Sequence, residues 1–207
     1  MFTTKGAPCR PAERRELRQD RARERVERIL SATSEVLREG GLELLTTSRV
    51  AERAGSTLPS VYRYFPDRTH LVRAVAEHYL DAIYDRLAAD LVGLRTAEDA
   101  RAALETALRN YYQAFIDDPA LREIWAGTIA DRALLGLNIA DSQRNGAVLA
   151  DRLRPFSTLD TEALLRRCVL VAHLAQATVV FAVALDSSEG PSYVDEFGAW
   201  ATDLLQG

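Results

Sequence analysis

The chain is 207 residues long, 47% apolar and 27% charged, with a net charge of −4. That length holds one large domain or two small ones with ample core. Its two cysteines, Cys9 and Cys168, lie far apart in unlike settings, which excludes a disulfide framework and a zinc-ligand spacing and fits a reducing cytoplasm. Glycine and proline are scarce, at 11 and 7 residues. Ala, Leu, Arg and Glu dominate, which favours helix over strand. Residues 1–80 carry 15 basic and 11 acidic side chains, and residues 81–207 carry the remaining 11 and 19. A basic front and acidic rear suit a nucleic-acid reader fused to a domain that does not read, although ordinary scatter of charge gives the same count.

Residues 1–24 read as a polar tail. Eight arginines and five acids fall between Arg10 and Arg28. The segment is either a basic arm for a DNA backbone or minor groove, or a frayed polar helix or disordered stretch whose acids dilute the field. It has no apolar core segment, so no secretory signal is expected. From Val26 the residues Val26, Ile29, Leu30, Thr33, Val36 and Leu37 recur at steps of three and four. That is an amphipathic helix, which Gly40-Gly41 should end. Thr46 then caps a short helix with Val50, Ala51 and Ala54 inward, and Gly55 turns the chain. Thr57 caps a helix expected over 58–64, with Pro59 in its first turn and Pro66 closing it. Asp67 caps a long helix over 67–88, with the stripe Leu71, Val72, Val75, Tyr79, Ile83 and Leu87.

Beyond Gly93 the pattern predicts helices over 97–116, 119–125, 127–154, 160–185 and 191–205. They are broken at Asp117-Asp118-Pro119, at Pro155-Phe156-Ser157 and between Ser187 and Pro191. The uncharged run from Cys168 to Leu185 reads as buried helix and not as a membrane span, because His173, Gln176 and several alanines interrupt it. The fold class is therefore all-α, with about nine helices: a tail over 1–24, a three-helix helix-turn-helix domain over 25–72 and a helical domain over 73–207.

The chemistry sits between Thr46 and Arg68. Two short helices joined by a tight turn form a helix-turn-helix, which must offer side chains to base edges and flank them with groups that grip phosphate. Leu58 and Pro59 can pack on a thymine methyl, and Ser60 can exchange a hydrogen bond with a base. Tyr62 and Tyr64 can place a hydroxyl on phosphate. Arg63 can take a guanine bidentately or a phosphate. Thr47, Ser48 and Arg68 stand at helix starts, where backbone N–H groups also favour phosphate. Tyr62 could instead be a core aromatic and Arg63 a solvated surface charge. Val61 and Phe65 belong to the core.

The residues Gly41, Thr46-Thr47, Val50-Ala51, Ala54-Gly55, Pro59-Ser60-Val61-Tyr62, Phe65, Asp67-Arg68 and Leu71 resemble the DNA-binding domain of the tetracycline-repressor (TetR) family. The resemblance implies that Thr47, Tyr62, Tyr64 and Arg68 hold phosphates, while Ser48, Leu58, Pro59, Ser60 and Arg63 face the groove. Ser48 stands where some members carry a long basic reader, and Leu58 where a polar or basic residue is common, so the operator sequence is left open.

The resemblance also implies that two subunits pair through the last two long helices. The sequence permits this, since helix 160–185 is apolar on nearly every side and needs more cover than one domain offers. The expected interface is Leu165, Val169, Ala172, Gln176 and Val180 with Phe197, Trp200 and Leu204; a central core helix in a monomer is the alternative. A small-molecule pocket in the second half is implied too, with Tyr111, Tyr112, Phe115, Trp125, Leu134, Asn138, Gln143, His173 and Gln176 as candidate lining. Each of these could equally be core, and His173 and Gln176 a satisfied polar pair.

The function expected is a cytoplasmic, sequence-specific transcription regulator. It would be a homodimeric repressor on a near-palindromic inverted repeat of double-stranded DNA, released by a small-molecule effector, with no cofactor, no metal and no membrane partner. A helical protein–protein adaptor is the rival reading. An enzyme is not expected, because nucleophile elbow, phosphate-binding glycine loop and zinc helix are all missing from the sequence.

Overall fold

The structure, a computed structural model, describes residues 11–128, 132–185 and 188–206, with side chains over 19–125, 134–185 and 188–205. Among the described residues there are nine α-helices and no strand: α1 Pro11–Leu44, α2 Thr47–Arg53, α3 Leu58–Tyr62, α4 Arg68–Asp90, α5 Ala97–Asp117, α6 Pro119–Thr128, α7 Arg132–Leu153, α8 Thr161–Ala184 and α9 Gly190–Gln206. A single 3-10 turn, Arg154–Phe156, follows α7. The all-α expectation and the order of helices agree with this. From Pro11 onward the polar segment is helical and continuous with the amphipathic stripe. Cys9, with the rest of residues 1–10, lies outside the described residues, as does Ser187.

Local chemistry sets most boundaries. The Thr46 hydroxyl accepts from the Arg49 N–H at 3.2 Å, and the Asp67 carboxylate accepts from the His70 N–H at 2.9 Å. Thr96 and Asp99 cap α5 reciprocally, and Asp160 accepts from the Ala163 N–H to start α8. Each such cap contributes about 1 kcal/mol. Thr57 departs from expectation: it occupies the cap position of α3 with extended backbone, but its side chain makes no capping bond. The third helix also stops at Tyr62, two residues early, because Arg63 and Tyr64 already turn toward Pro66. Gly40-Gly41 breaks α1 as expected, through Gly41 at φ 63°, ψ −161°, after which one more turn runs to Leu44.

Two apolar cores hold the helices. The first begins in α1 to α4 with Ile29, Val36, Val50, Val61, Phe65, Leu71 and Val75. It runs without a break into Phe115, Leu121, Ile124, Trp125, Leu134 and Val179. The reader and the helical body therefore share packing across residue 72. The second core, Leu91, Leu149, Leu153, Leu164, Cys168, Val171 and Leu205, fills the far end. By length and composition α8 could cross a membrane. In the fold it packs against α7, α9 and α5. Its crossing with α7 is close: a Cβ on Gly146 would lie 2.6 Å from the Cα of Val169.

Candidate functional site

Burial of Val61, with 0% exposure, and of Phe65 fixes the orientation of α3. With those two residues inward, positions 62 and 63 between them turn outward. Pro59, Tyr62 and Arg63 are exposed. Tyr62 at 47% exposure is a surface residue and not a core aromatic. The Arg63 guanidinium lies 5.9 Å over the ring of Tyr64, which is itself half-buried on the first core. Leu58 also packs on that core, so only part of it can reach a base. Ser48 is exposed, whereas Thr47 is 9% exposed. Arg68 donates to the Leu42 carbonyl at the end of α1.

A further basic residue enters from α1: Arg25 donates to the Ser60 hydroxyl at 3.5 Å. The sequence carried a signal for it, since Arg21, Arg25 and Arg28 recur at helical steps on an α1 that extends past the core. Arg53 is spent differently, pairing with Glu35 and Glu39 to clamp α2 on α1.

The helical body contains a half-open cavity of about 380 Å³ between α4, α5, α7, α8 and α9. Its wall is mostly apolar, from Leu87, Leu108, Leu121, Leu149, Val171 and Phe197, with Tyr79, Asn110, Tyr111, Asp141, Asn145 and Gln176 as polar points. Of the expected lining residues, Tyr111 and Gln176 are in the wall. Phe115 and Trp125 lie behind it, edge to face with each other at 5.8 Å, and Phe115 likewise with Tyr111 at 5.2 Å. Leu134 is core at 4% exposure. Tyr112, Asn138, Gln143 and His173 are not in the wall; His173 is exposed, its Nδ1 3.1 Å from the Ser142 hydroxyl.

Among the residues expected at the subunit interface, Ala172, Gln176 and Phe197 line this cavity. Val169 meets Gly146 of α7, Val180 packs on the first core and Leu204 on the second. Leu165 and Trp200 are exposed, and three residues not anticipated join them: Leu170, Phe181 and Tyr193, each near half-exposed.

One ion-paired node ties the cavity to α1. Asp118, between α5 and α6, accepts from Arg38 Nε at 2.8 Å and Nη2 at 2.7 Å, and from the Tyr79 hydroxyl at 2.6 Å. Both Asp118 and Tyr79 line the cavity. Burial alone would push the Asp118 carboxyl up, but the bonds from Arg38, Tyr79 and the Ala120 N–H hold it below the usual carboxylate range. Burial, with the bond to Asp118, pushes the Tyr79 phenol up to about 12. In the sequence Asp117-Asp118-Pro119 marks only a break between helices.

Asp141 behaves in the opposite way. Burial raises its carboxyl to about 6, against the favourable fields of Arg144 and the Asn145 amide, with Asp81 adding repulsion. A carboxyl raised on folding stabilises the fold at low pH, and that contribution is lost as pH rises through about 6. Asp141→Asn should therefore melt higher than the parent at pH 7.5, with the two curves converging near pH 4. A melting difference that stays constant across that range would contradict the assignment.

Among the described residues no group of three or more His, Cys, Asp or Glu side chains is arranged to hold a metal. Cys168 is fully buried, and burial pushes its thiol up to about 12, out of reach of nucleophilic chemistry at neutral pH.

A helix-turn-helix with an outward polar face, sharing a core with a helical body that contains an apolar cavity, defines a DNA-binding regulator architecture. Residues 29–75 match the tetR family of bacterial regulatory proteins, and residues 98–207 match the tetracyclin repressor-like C-terminal domain. The chain belongs to the tetracycline-repressor family of DNA-binding transcriptional regulators.

The transcriptional repressor KstR of Mycolicibacterium smegmatis is 42% identical over 76 residues, 35% of this chain and 37% of that protein. The nucleoid occlusion factor SlmA of Haemophilus influenzae is 33% identical over 70 residues, 33% of this chain and 32% of that protein. The chain thus matches about a third of the length of these curated relatives. A TetR-family regulator from Streptomyces coelicolor superposes at a TM-score of 0.66 with 26% identity, covering 88% of this chain and 95% of that one. FadR from Bacillus subtilis, solved in complex with stearoyl-CoA, superposes at 0.61 with 16% identity over 88% of this chain and 98% of that one, which shows the shared fold alone.

Proposed function

We propose that the protein is a homodimeric repressor that reads an inverted-repeat operator and leaves it when a small molecule fills the cavity. The observation that carries this is the Arg38–Asp118–Tyr79 node, in which one carboxylate is shared by the helix that carries the reader and by the cavity wall. A ligand that repositions Asp118 or Tyr79 acts directly on α1 and on the spacing of the reading heads. Solved relatives of this fold hold small molecules: stearoyl-CoA in FadR and resorcinol in RolR. The outward apolar residues Leu170 and Phe181 on one face of α8, with Tyr193, which meets Phe181 edge to face, and Trp200 on α9, support pairing through that surface.

On DNA, Pro59, Ser60 and Arg63 with the free part of Leu58 meet base edges. Tyr62, Tyr64, Thr47 and Arg68 contact or frame the phosphates, Arg25 flanks them from α1, and Ser48 faces the groove. Two heads about 34–36 Å apart would then read adjacent major grooves.

Selection of bound duplexes from a random pool tests the operator, and should return an inverted repeat bound by one dimer, with affinity falling steeply as salt rises. Equal affinity for scrambled duplex would falsify sequence-specific reading. Within this reading Arg63→Ala should change the preferred bases at a cost of roughly 1–3 kcal/mol on the best site. Arg68→Ala should weaken every duplex alike.

A further inference from the structure

The cavity wall has an uneven polar chemistry. Four carboxylates line it, Asp90, Asp117, Asp118 and Asp141, against one cation, Arg86. Three of the four carboxylates are occupied by neighbours. Arg86 pairs with Asp90 at 3.0 Å, Asn110 donates to the same Asp90, and Gln113 donates to Asp117. Arg38 and Tyr79 saturate Asp118.

Asp141 is different. One of its oxygens accepts from the Asn145 amide at 2.7 Å, while its Oδ1 has no donor among the described residues. The Asn145 carbonyl oxygen likewise has none, although that side chain is only 8% exposed. The two residues are four apart on α7 and line the same wall, so two open acceptors stand side by side. The nearby guanidinium of Arg144 is turned away, bonded to Asp81 and stacked 3.7 Å over the Tyr84 ring. From the other walls the cavity offers the rings of Tyr111, Tyr79 and Phe197 and the amide of Gln176.

An unsatisfied buried acceptor is costly, and a buried carboxylate oxygen more so, which makes this pair a place where a donor belongs. A ligand bearing an acid would meet Asp141 with like charge. A neutral donor would satisfy the hydrogen bonds and leave the charge. A protonated amine satisfies both, and its apolar body fits a wall of leucines and aromatic rings, whose faces also attract cations. Resting on the reading of the cavity as an effector site, we propose that its ligand is an apolar organic amine, bound as the cation with its N–H groups on Asp141 Oδ1 and Asn145 Oδ1.

Three probes that share one aromatic body test this: 2-(1-naphthyl)ethylamine, 2-(1-naphthyl)ethanol and 1-naphthaleneacetate, titrated calorimetrically into the full chain at pH 7.5. The amine should bind about tenfold or more tighter than the alcohol, with the acid weakest. Asp141→Asn, which keeps shape and removes charge, should bring amine and alcohol within about threefold of each other, with melting curves showing that the variant is folded. At pH 6, where Asp141 is partly protonated, amine binding should release protons in the parent and none in the variant.

Equal binding of all three probes, blocked by Ala175→Phe in the cavity wall, would overturn the amine assignment and leave the effector site standing. An amine preference that survives Asp141→Asn overturns it too. Binding of no probe, or binding that Ala175→Phe does not affect, would overturn the assignment together with the reading of the cavity as an effector site.

Discussion

Replacing Phe115 with alanine should lower the unfolding free energy by roughly 3–5 kcal/mol, the range for emptying a buried aromatic site. Phe115 has 1% exposure and packs edge to face with Tyr111 on one side and Trp125 on the other. Tyr111 faces the cavity and Trp125 belongs to α6, which packs on α1. The space left by the ring cannot collapse easily, because its neighbours come from helices already held by other contacts. For a chain of this length each kcal/mol moves the midpoint by about 2–4 °C, so calorimetry should show a drop of roughly 6–20 °C. A drop of a degree or two would mean that the site closes over the hole and that Phe115 is not the support of the cavity wall. Phe115→Leu should recover much of the loss, since most of the volume returns.

Gly41→Ala should cost roughly 2–4 kcal/mol, with two separable causes. At φ 63° and ψ −161° the backbone is in a region open to glycine and strained for any L-residue. The added Cβ would also stand 2.2 Å from Oε2 of Glu123, the oxygen that accepts from the Leu42 N–H. Glu123 can swing aside, but only by giving up that bond between α6 and the end of α1. Gly55 is the natural control: its φ is 57°, yet a Cβ there meets nothing within 4 Å. Gly55→Ala should therefore show the backbone strain alone, about 1–2 kcal/mol. Urea unfolding of Gly41→Ala, Glu123→Ala and the double variant separates the terms, and the double variant should lose less than the two single losses added together. Strict additivity would show that Glu123 plays no part at Gly41.

The helix boundaries were legible because their causes are local. Thr46, Asp67 and Asp160 cap from within three residues, and the spacing of Val61 and Phe65 alone orients α3. The start of α1 was less legible, since a stretch of Arg and Glu suits a basic arm, a polar helix or a disordered segment alike, and only its continuity with a helix packed further on selects the helix. The cavity was far less legible. Searching for aromatics found Tyr111, but it also found Phe115 and Trp125, which aromatics become when they fill a core. Asp141 and Asn145 look like any polar pair on an amphipathic helix; only the packing of α7 against its neighbours turns them into the cavity wall. Arg38 and Asp118 are 80 residues apart, and no spacing rule connects them.

The recognition element, α3, has five residues, barely more than a turn, and a helix that short has no independent stability. Its shape is imposed by Val61 and Phe65 from below. Pro59, Tyr62 and Arg63 are exposed on the other side and take no part in that anchoring, whereas Leu58 packs on the core. On the proposed reading, substitutions at those three exposed positions change which DNA is bound at little cost to folding, so that operator choice is free to drift among descendants of this chain. The inward pair, buried in the first core, is bound instead by packing, so change there acts on the shape of α3 itself and not on its outer residues.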